Sequence, residues 1–170
     1  EAMSEDCLYL NIWTPAKTNT DHLPVLLWIH GGAFTGGYGH EKEFDGEAFC
    51  KQGVILVTIN YRLGILGFLS HPWLQKEGQT GNFGIYDQIA AIQFVYDHIE
   101  AFGGDPNNIT IMGQSAGSRS VQIICSTDKT KGLFSKAIMQ SAAGTQSICQ
   151  ELTQEKQSAI VEKMVADLGY

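Results

Sequence analysis

Short apolar runs of strand length recur along the chain, with segments of helical period between the later ones. Residues 8–13 (LYLNIW) form the first run, closed by Pro15, and a polar turn follows over residues 17–22. Residues 25–30 (VLLWIH) and 54–61 (VILVTINY) are near-continuous apolar runs, the pattern of strands covered on both faces. Residues 109–112 and 136–140 (KAIMQ) read as two shorter buried strands. Over residues 85–102 apolar side chains stand at Ile85, Ile89, Ile92, Val95, Tyr96, Ile99 and Phe102. That three-and-four spacing predicts a helix, stopped by Gly103-Gly104. Residues 116–125 and the polar-rich amphipathic stretch 151–168 predict two more helices, and residues 70–79, punctuated by Pro72, read as a loop. Buried strands alternating with helices predict an α/β fold, a mostly parallel sheet with helices on both faces. No repeat or composition break divides the chain, so residues 1–170 are expected to belong to one domain. Sites in such sheets lie at the carboxyl ends of strands.

Composition narrows the partners. The chain is 44% hydrophobic and 17% charged, an ordinary globular balance. Its net charge of -7 disfavours nucleic acid and anionic membrane surfaces, which reward a basic patch. No apolar run approaches the roughly 18 residues of a membrane span. Cys7, Cys50, Cys125 and Cys149 show no metal-ligand spacing, so no metal site is expected; they read as buried thiols rather than a disulfide scaffold.

Two motifs carry chemistry, each after a predicted strand. Gly113-Gln114-Ser115-Ala116-Gly117 is G-x-S-x-G between strand 109–112 and helix 116–125. A nucleophile elbow needs that context, because small residues let the backbone turn sharply and expose the serine Oγ above the sheet. The pattern alone is weak in a chain with 19 glycines; the strand-turn-helix setting strengthens it. The second motif, His30-Gly31-Gly32-Ala33-Phe34, follows strand 25–30. Acyl transfer develops an oxyanion, and backbone N–H groups of such a glycine-rich loop stabilise it.

The ordered blocks EDCLYLNIW (5–13), HGGAF (30–34), NYRLGILGFL (60–69), GNFGIYDQIAAIQFV (81–95) and FGGDP (102–106) leading into GQSAG resemble the type B carboxylesterases. These include cholinesterases and bacterial para-nitrobenzyl esterases, and the resemblance covers nearly all of residues 5–144. It implies the α/β-hydrolase fold and ester hydrolysis without cofactor or metal. It implies Ser115 as nucleophile, with oxyanion donors at Gly32, Ala33 and Ala116. Phe34 and Gln114 are expected to face the substrate. Gln114 stands where the family often has Glu, which argues against cationic choline esters. Arg62 and Asp87 resemble a structural ion pair, and Cys7 matches a cysteine that in secreted members pairs with one further upstream. The GQSAG sequence and sparse cysteines lean the reading towards a bacterial, cytoplasmic enzyme.

The triad of this fold runs Ser, then acid, then His along the chain. All five histidines here, His22, His30, His40, His71 and His98, precede Ser115. His30 is therefore expected to orient the glycine loop rather than act as base, and the other four are expected at the surface or supporting the site. The base and acid are expected in the remainder of the hydrolase domain, so that residues 1–170 alone are inactive. The rival reading is a cholinesterase-like adhesion module that binds partners without catalysis; the retained Ser115 argues against it. The lipases with an H-G-G loop are a second rival, disfavoured by EDCLYLN and FGGDP.

Overall fold

The computed structural model describes residues 3–78, 81–142 and 153–169. Among the described residues five strands, β1 (Leu10–Trp13), β2 (Leu23–Ile29), β3 (Ile55–Ile59), β4 (Gly104–Gln114) and β5 (Lys136–Gln140), form one sheet in the order β1-β3-β2-β4-β5. β1 runs antiparallel to β3, and the other neighbours are parallel. The helices are α1 (Glu47–Cys50), α2 (Gly64–Phe68), α3 (Pro72–Lys76), α4 (Phe83–His98), α5 (Ala116–Cys125) and α6 (Gln154–Asp167). From β2 the chain steps outward to β3, then returns through α4 to pair β4 on the other side of β2. The order thus reverses between β2 and β4, and such a reversal opens a crevice at the carboxyl ends of the two strands.

Strand alternation sets the two layers. Val25, Leu27 and Ile29 of β2, Ile55, Val57 and Ile59 of β3, and Ile109 and Ile111 of β4 face one side. There they pack with Ile92 and Val95 of α4, Ile99 just beyond it, and Val121 and Ile124 of α5 in one core. The intervening residues Leu26, Trp28, Leu56 and Met112 face the other side, where Phe44 and Phe49 cover them around a cleft of ≈ 230 Å³. Covering on both faces is why β2 and β3 carry near-continuous apolar runs rather than alternating ones.

The helix expected over 85–102 is α4 followed by a 3-10 turn, Ile99–Phe102, ended by Gly103 in the left-handed region (φ 80). β4 is longer than the expected 109–112, because the chain bulges between the pairs Leu23–Gly104 and Val25–Ile109 and so takes in Pro106. Residues 70–79 were expected as a loop, yet contain α3. Pro72 opens that helix and the His71 side chain caps it, Nδ1 accepting from the Trp73 N–H at 3.2 Å. Segments Glu47–Cys50 and Gly64–Phe68 are too short to show a helical period in sequence. Lys136–Gln140 is a strand with the expected bounds but is not buried: all five residues are exposed, Ile138 and Met139 among them. It pairs with β4 alone among the described strands, so its second edge and much of its faces are open. Cys7 and Cys50 are half-buried and Cys125 exposed, against the expectation of buried thiols; Cys149 and residues 151 and 152 lie outside the described residues.

The Arg62–Asp87 pair forms as the resemblance implies. Arg62 Nε and Nη2 donate to Asp87 Oδ2 and Oδ1, each at 2.8 Å, and the Arg62 backbone N–H adds a third bond at 3.0 Å. This two-pronged geometry fits the planar guanidinium, and it ties the exit of β3 to α4. Replacing Asp87 with alanine is expected to lower the unfolding free energy by about 2 kcal/mol. That is below the 3–5 of a fully buried pair, since the Arg62 side chain is 37% exposed and can rehydrate. Urea denaturation checks it; an unmoved midpoint would show the pair to be ornamental.

Candidate active site

Ser115 follows the last residue of β4 and precedes the first of α5, with φ 56 and ψ −119. That conformation costs a residue with a Cβ of order 1–3 kcal/mol and persists only where its surroundings enforce it. The flanking glycines are part of that enforcement. A Cβ on Gly113 would lie 2.3 Å from the Gly117 carbonyl carbon, and one on Gly117 would lie 2.0 Å from the Ile29 carbonyl oxygen. Only glycine lets α5 approach β2 and β4 this closely, so the spacing G-x-S-x-G is a steric requirement of the turn. The Ser115 N–H donates to the Gln140 carbonyl at 2.9 Å, which fixes the turn against β5. Just inside α5, the buried Ser118 donates its hydroxyl to the Ala142 carbonyl.

The glycine loop leaves β2 directly beside this turn, because Ile29 pairs with Gly113 in the sheet. A Cβ on Gly31 would lie 2.9 Å from the Gln114 carbonyl oxygen and 3.3 Å from Ser115 Cβ. Gly32 (φ 103), Ala33 (φ 54) and Phe34 (φ 62) all take positive φ. The Gly32 carbonyl accepts from the N–H groups of Thr35 and Gly36, each at 3.0 Å, closing the loop into a tight turn. The N–H groups of Gly32, Ala33 and Ala116 donate to no acceptor among the described residues. Ala116 is buried at the start of α5, and Gln114 is exposed over the loop. The structure therefore sets the start of the loop that carries Gly32 and Ala33 against the turn that carries Ser115 and Ala116.

Phe34 turns its ring to Phe68, 4.9 Å between centroids. It forms one wall of an apolar cavity of ≈ 330 Å³ with α2 and the α6 residues Ile160, Val161 and Met164. His30 is 1% exposed. Its Nδ1 lies 2.8 Å from the Gly31 carbonyl, and burial pushes its pKa down, so the imidazole stays neutral at neutral pH. Its ring stacks on Tyr61 at 4.4 Å. No histidine bonds to Ser115 among the described residues, and His22, His40 and His98 are exposed. His71, expected at the surface or supporting the site, is instead buried at the start of α3, where its Nε2 faces Glu162 of α6 at 3.8 Å. Sequence reasoning missed Tyr61, Asn60 and Gly64, which bond to the loop; the signal was the NYRLG block, whose contacts only the fold reveals.

The Carboxylesterase family model matches residues 1–170. The chain belongs to the carboxylesterase family. It is 50% identical over 141 residues to the para-nitrobenzyl esterase of Bacillus subtilis (strain 168), covering 82% of this chain and 28% of that protein. It is 48% identical over 141 residues to the fumonisin B1 esterase of Sphingopyxis macrogoltabida, covering 81% and 26%. Among solved structures, a Geobacillus stearothermophilus carboxylesterase superposes with a TM-score of 0.87 at 45% identity, over 99% of this chain and 35% of that one. A para-nitrobenzyl esterase gives 0.83 at 41% identity, over 98% and 34%. The chain thus spans about a quarter of the length of the curated relatives it matches. These likenesses carry the α/β-hydrolase fold and a family of ester hydrolases.

Proposed function

We propose that this chain supplies the nucleophile and the oxyanion site of a serine carboxylic ester hydrolase that works through an acyl-enzyme. The observation that carries the reading is the strained Ser115 backbone set against the glycine loop, the two motifs meeting at the carboxyl ends of adjacent parallel strands. Ser115 Oγ attacks the ester carbonyl carbon. The oxygen that gains charge sits among the N–H groups of Gly32, Ala33 and Ala116, donors without an acceptor among the described residues and fixed before reaction. A histidine held by an acid takes the serine proton, returns it to the departing alcohol, and then activates water to release the acid. That histidine and acid are supplied by the remainder of the hydrolase domain; the exposed β5 edge with Ile138 and Met139 is where that remainder packs. Residues 1–170 alone are then inactive. The chemistry needs no cofactor or metal. Gln114 brings no charge beside the nucleophile, which favours neutral small-molecule esters over cationic ones.

The adhesion-module alternative has no use for a serine held at φ 56 between two glycines. Labelling of the full-length protein with a fluorophosphonate probe separates the two: the hydrolase is labelled at Ser115, and the label is lost in Ser115→Ala. An unlabelled, folded protein would defeat the hydrolase reading.

A further inference from the structure

The loop that carries the proposed oxyanion donors holds two non-glycine residues at positive φ, Ala33 and Phe34. Such a loop stays in place only when its surroundings over-determine it. One five-residue stretch at the exit of β3 does so. The Tyr61 hydroxyl donates to the His30 carbonyl at 2.9 Å, with both residues buried and their rings stacked. The Gly64 N–H donates to the Phe34 carbonyl at 2.7 Å. The Asn60 Oδ1 accepts from the Gly39 N–H at 2.7 Å. The loop is thus held at its start, its middle and its end. The stretch itself does not yield, because Arg62 is bonded three times to Asp87 of α4. Gly67 and Gly84 leave no room either: a Cβ on them would lie 2.1 and 2.5 Å from the Arg62 carbonyl oxygen.

Resting on the esterase reading above, we infer that Tyr61 is a positioning residue for the oxyanion site, acting through the His30 peptide, with Asn60 as its counterpart at the far end of the loop. The His30 carbonyl shares its peptide plane with the Gly31 N–H, so the hydroxyl fixes the tilt of the plane from which Gly31, Gly32 and Ala33 project. A tilt there moves the donors, and misplacement by about 1 Å costs on the order of a hundredfold in rate. Because charge gathers on the carbonyl oxygen only in the transition state, the loss falls on kcat and not on substrate binding.

The test is Tyr61→Phe in the full-length protein, which keeps the ring stack and removes the one hydrogen bond. With para-nitrophenyl acetate, kcat is expected to fall about tenfold, a fraction of the loss of a whole donor, while KM stays within about twofold. A trifluoromethyl ketone, which mimics the tetrahedral oxyanion, is expected to bind about tenfold less tightly in parallel. Incorporating 3-fluorotyrosine at position 61, which retains a hydroxyl donor, is expected to restore kcat. Asn60→Ala supplies the same measurement at the other anchor should Tyr61→Phe fold poorly, and the same loss in kcat at steady KM is expected. A parent protein labelled at Ser115 whose kcat and inhibitor affinity are untouched by Tyr61→Phe overturns this inference and leaves the esterase reading standing. So does a variant that only melts earlier and recovers full kcat in the cold. A parent that is neither labelled nor active defeats both.

Discussion

Replacing Ser115 with alanine in the full-length protein is expected to abolish ester hydrolysis while leaving the fold in place. Removing the nucleophile of a serine hydrolase costs on the order of 10⁶-fold in kcat. The hydroxyl makes no hydrogen bond among the described residues, so its loss strands no buried partner among them. The backbone bond from the residue 115 N–H to the Gln140 carbonyl survives the change. Alanine meets the same difficulty as serine at φ 56, so the strain is neither relieved nor increased. The denaturation midpoint is therefore expected to move by less than the equivalent of about 1 kcal/mol. Steady-state hydrolysis of para-nitrophenyl acetate beside a urea titration checks both halves. Turnover near that of the parent would remove Ser115 from the mechanism.

The second large effect is expected at Gly32. A side chain here collides with the loop itself before it reaches any substrate: its Cβ would lie 2.1 Å from the Gly36 carbonyl oxygen, and φ is 103. Gly32→Ala must therefore break the turn in which Thr35 and Gly36 donate to the Gly32 carbonyl, displacing the donors on either side. Loss of one oxyanion donor costs about 10²–10³ in kcat, and that range is expected for Gly32→Ala. The backbone strain lowers the unfolding free energy by about 1–3 kcal/mol at most, because the residue is exposed. Gly36→Ala is the contrast. A methyl there meets nothing within 4 Å, so kcat is expected to fall far less. Equal losses in the two variants would mean that the loop tolerates no change anywhere, and that donor geometry is not what Gly32 protects.

Much of this protein is legible along the chain because the signals are local. Apolar runs locate β2 and β3, the three-and-four spacing locates α4, and GQSAG between a strand and a helix locates the elbow. Each depends on residues that touch their near neighbours in sequence. The resemblance added the ion pair, which a sequence without partners to compare does not pair up: Arg62 and Asp87 are 25 residues apart. Burial of Lys136–Gln140 was misread because an apolar strand shows what it would cover and not whether anything covers it. Of the two places expected for His71, burial removes the surface one, and the sequence does not show this because the histidine faces Glu162 of α6, distant along the chain.

What the sequence by itself determined is the chemistry available: a serine between glycines, a glycine loop after a strand, and a buried α/β core. What only the tertiary structure decided is how those pieces meet. The reversal of strand order between β2 and β4 brings the Ile29–Gly113 pair together, 84 positions apart in sequence, and with it the loop and the elbow. The stretch from Asn60 to Gly64, silent as a motif of its own, becomes the clamp on that loop through hydrogen bonds to backbone groups. Backbone carbonyls and N–H groups are the same at every residue, so no pattern of side chains announces which of them will be held. Only the folded path of the chain selects them.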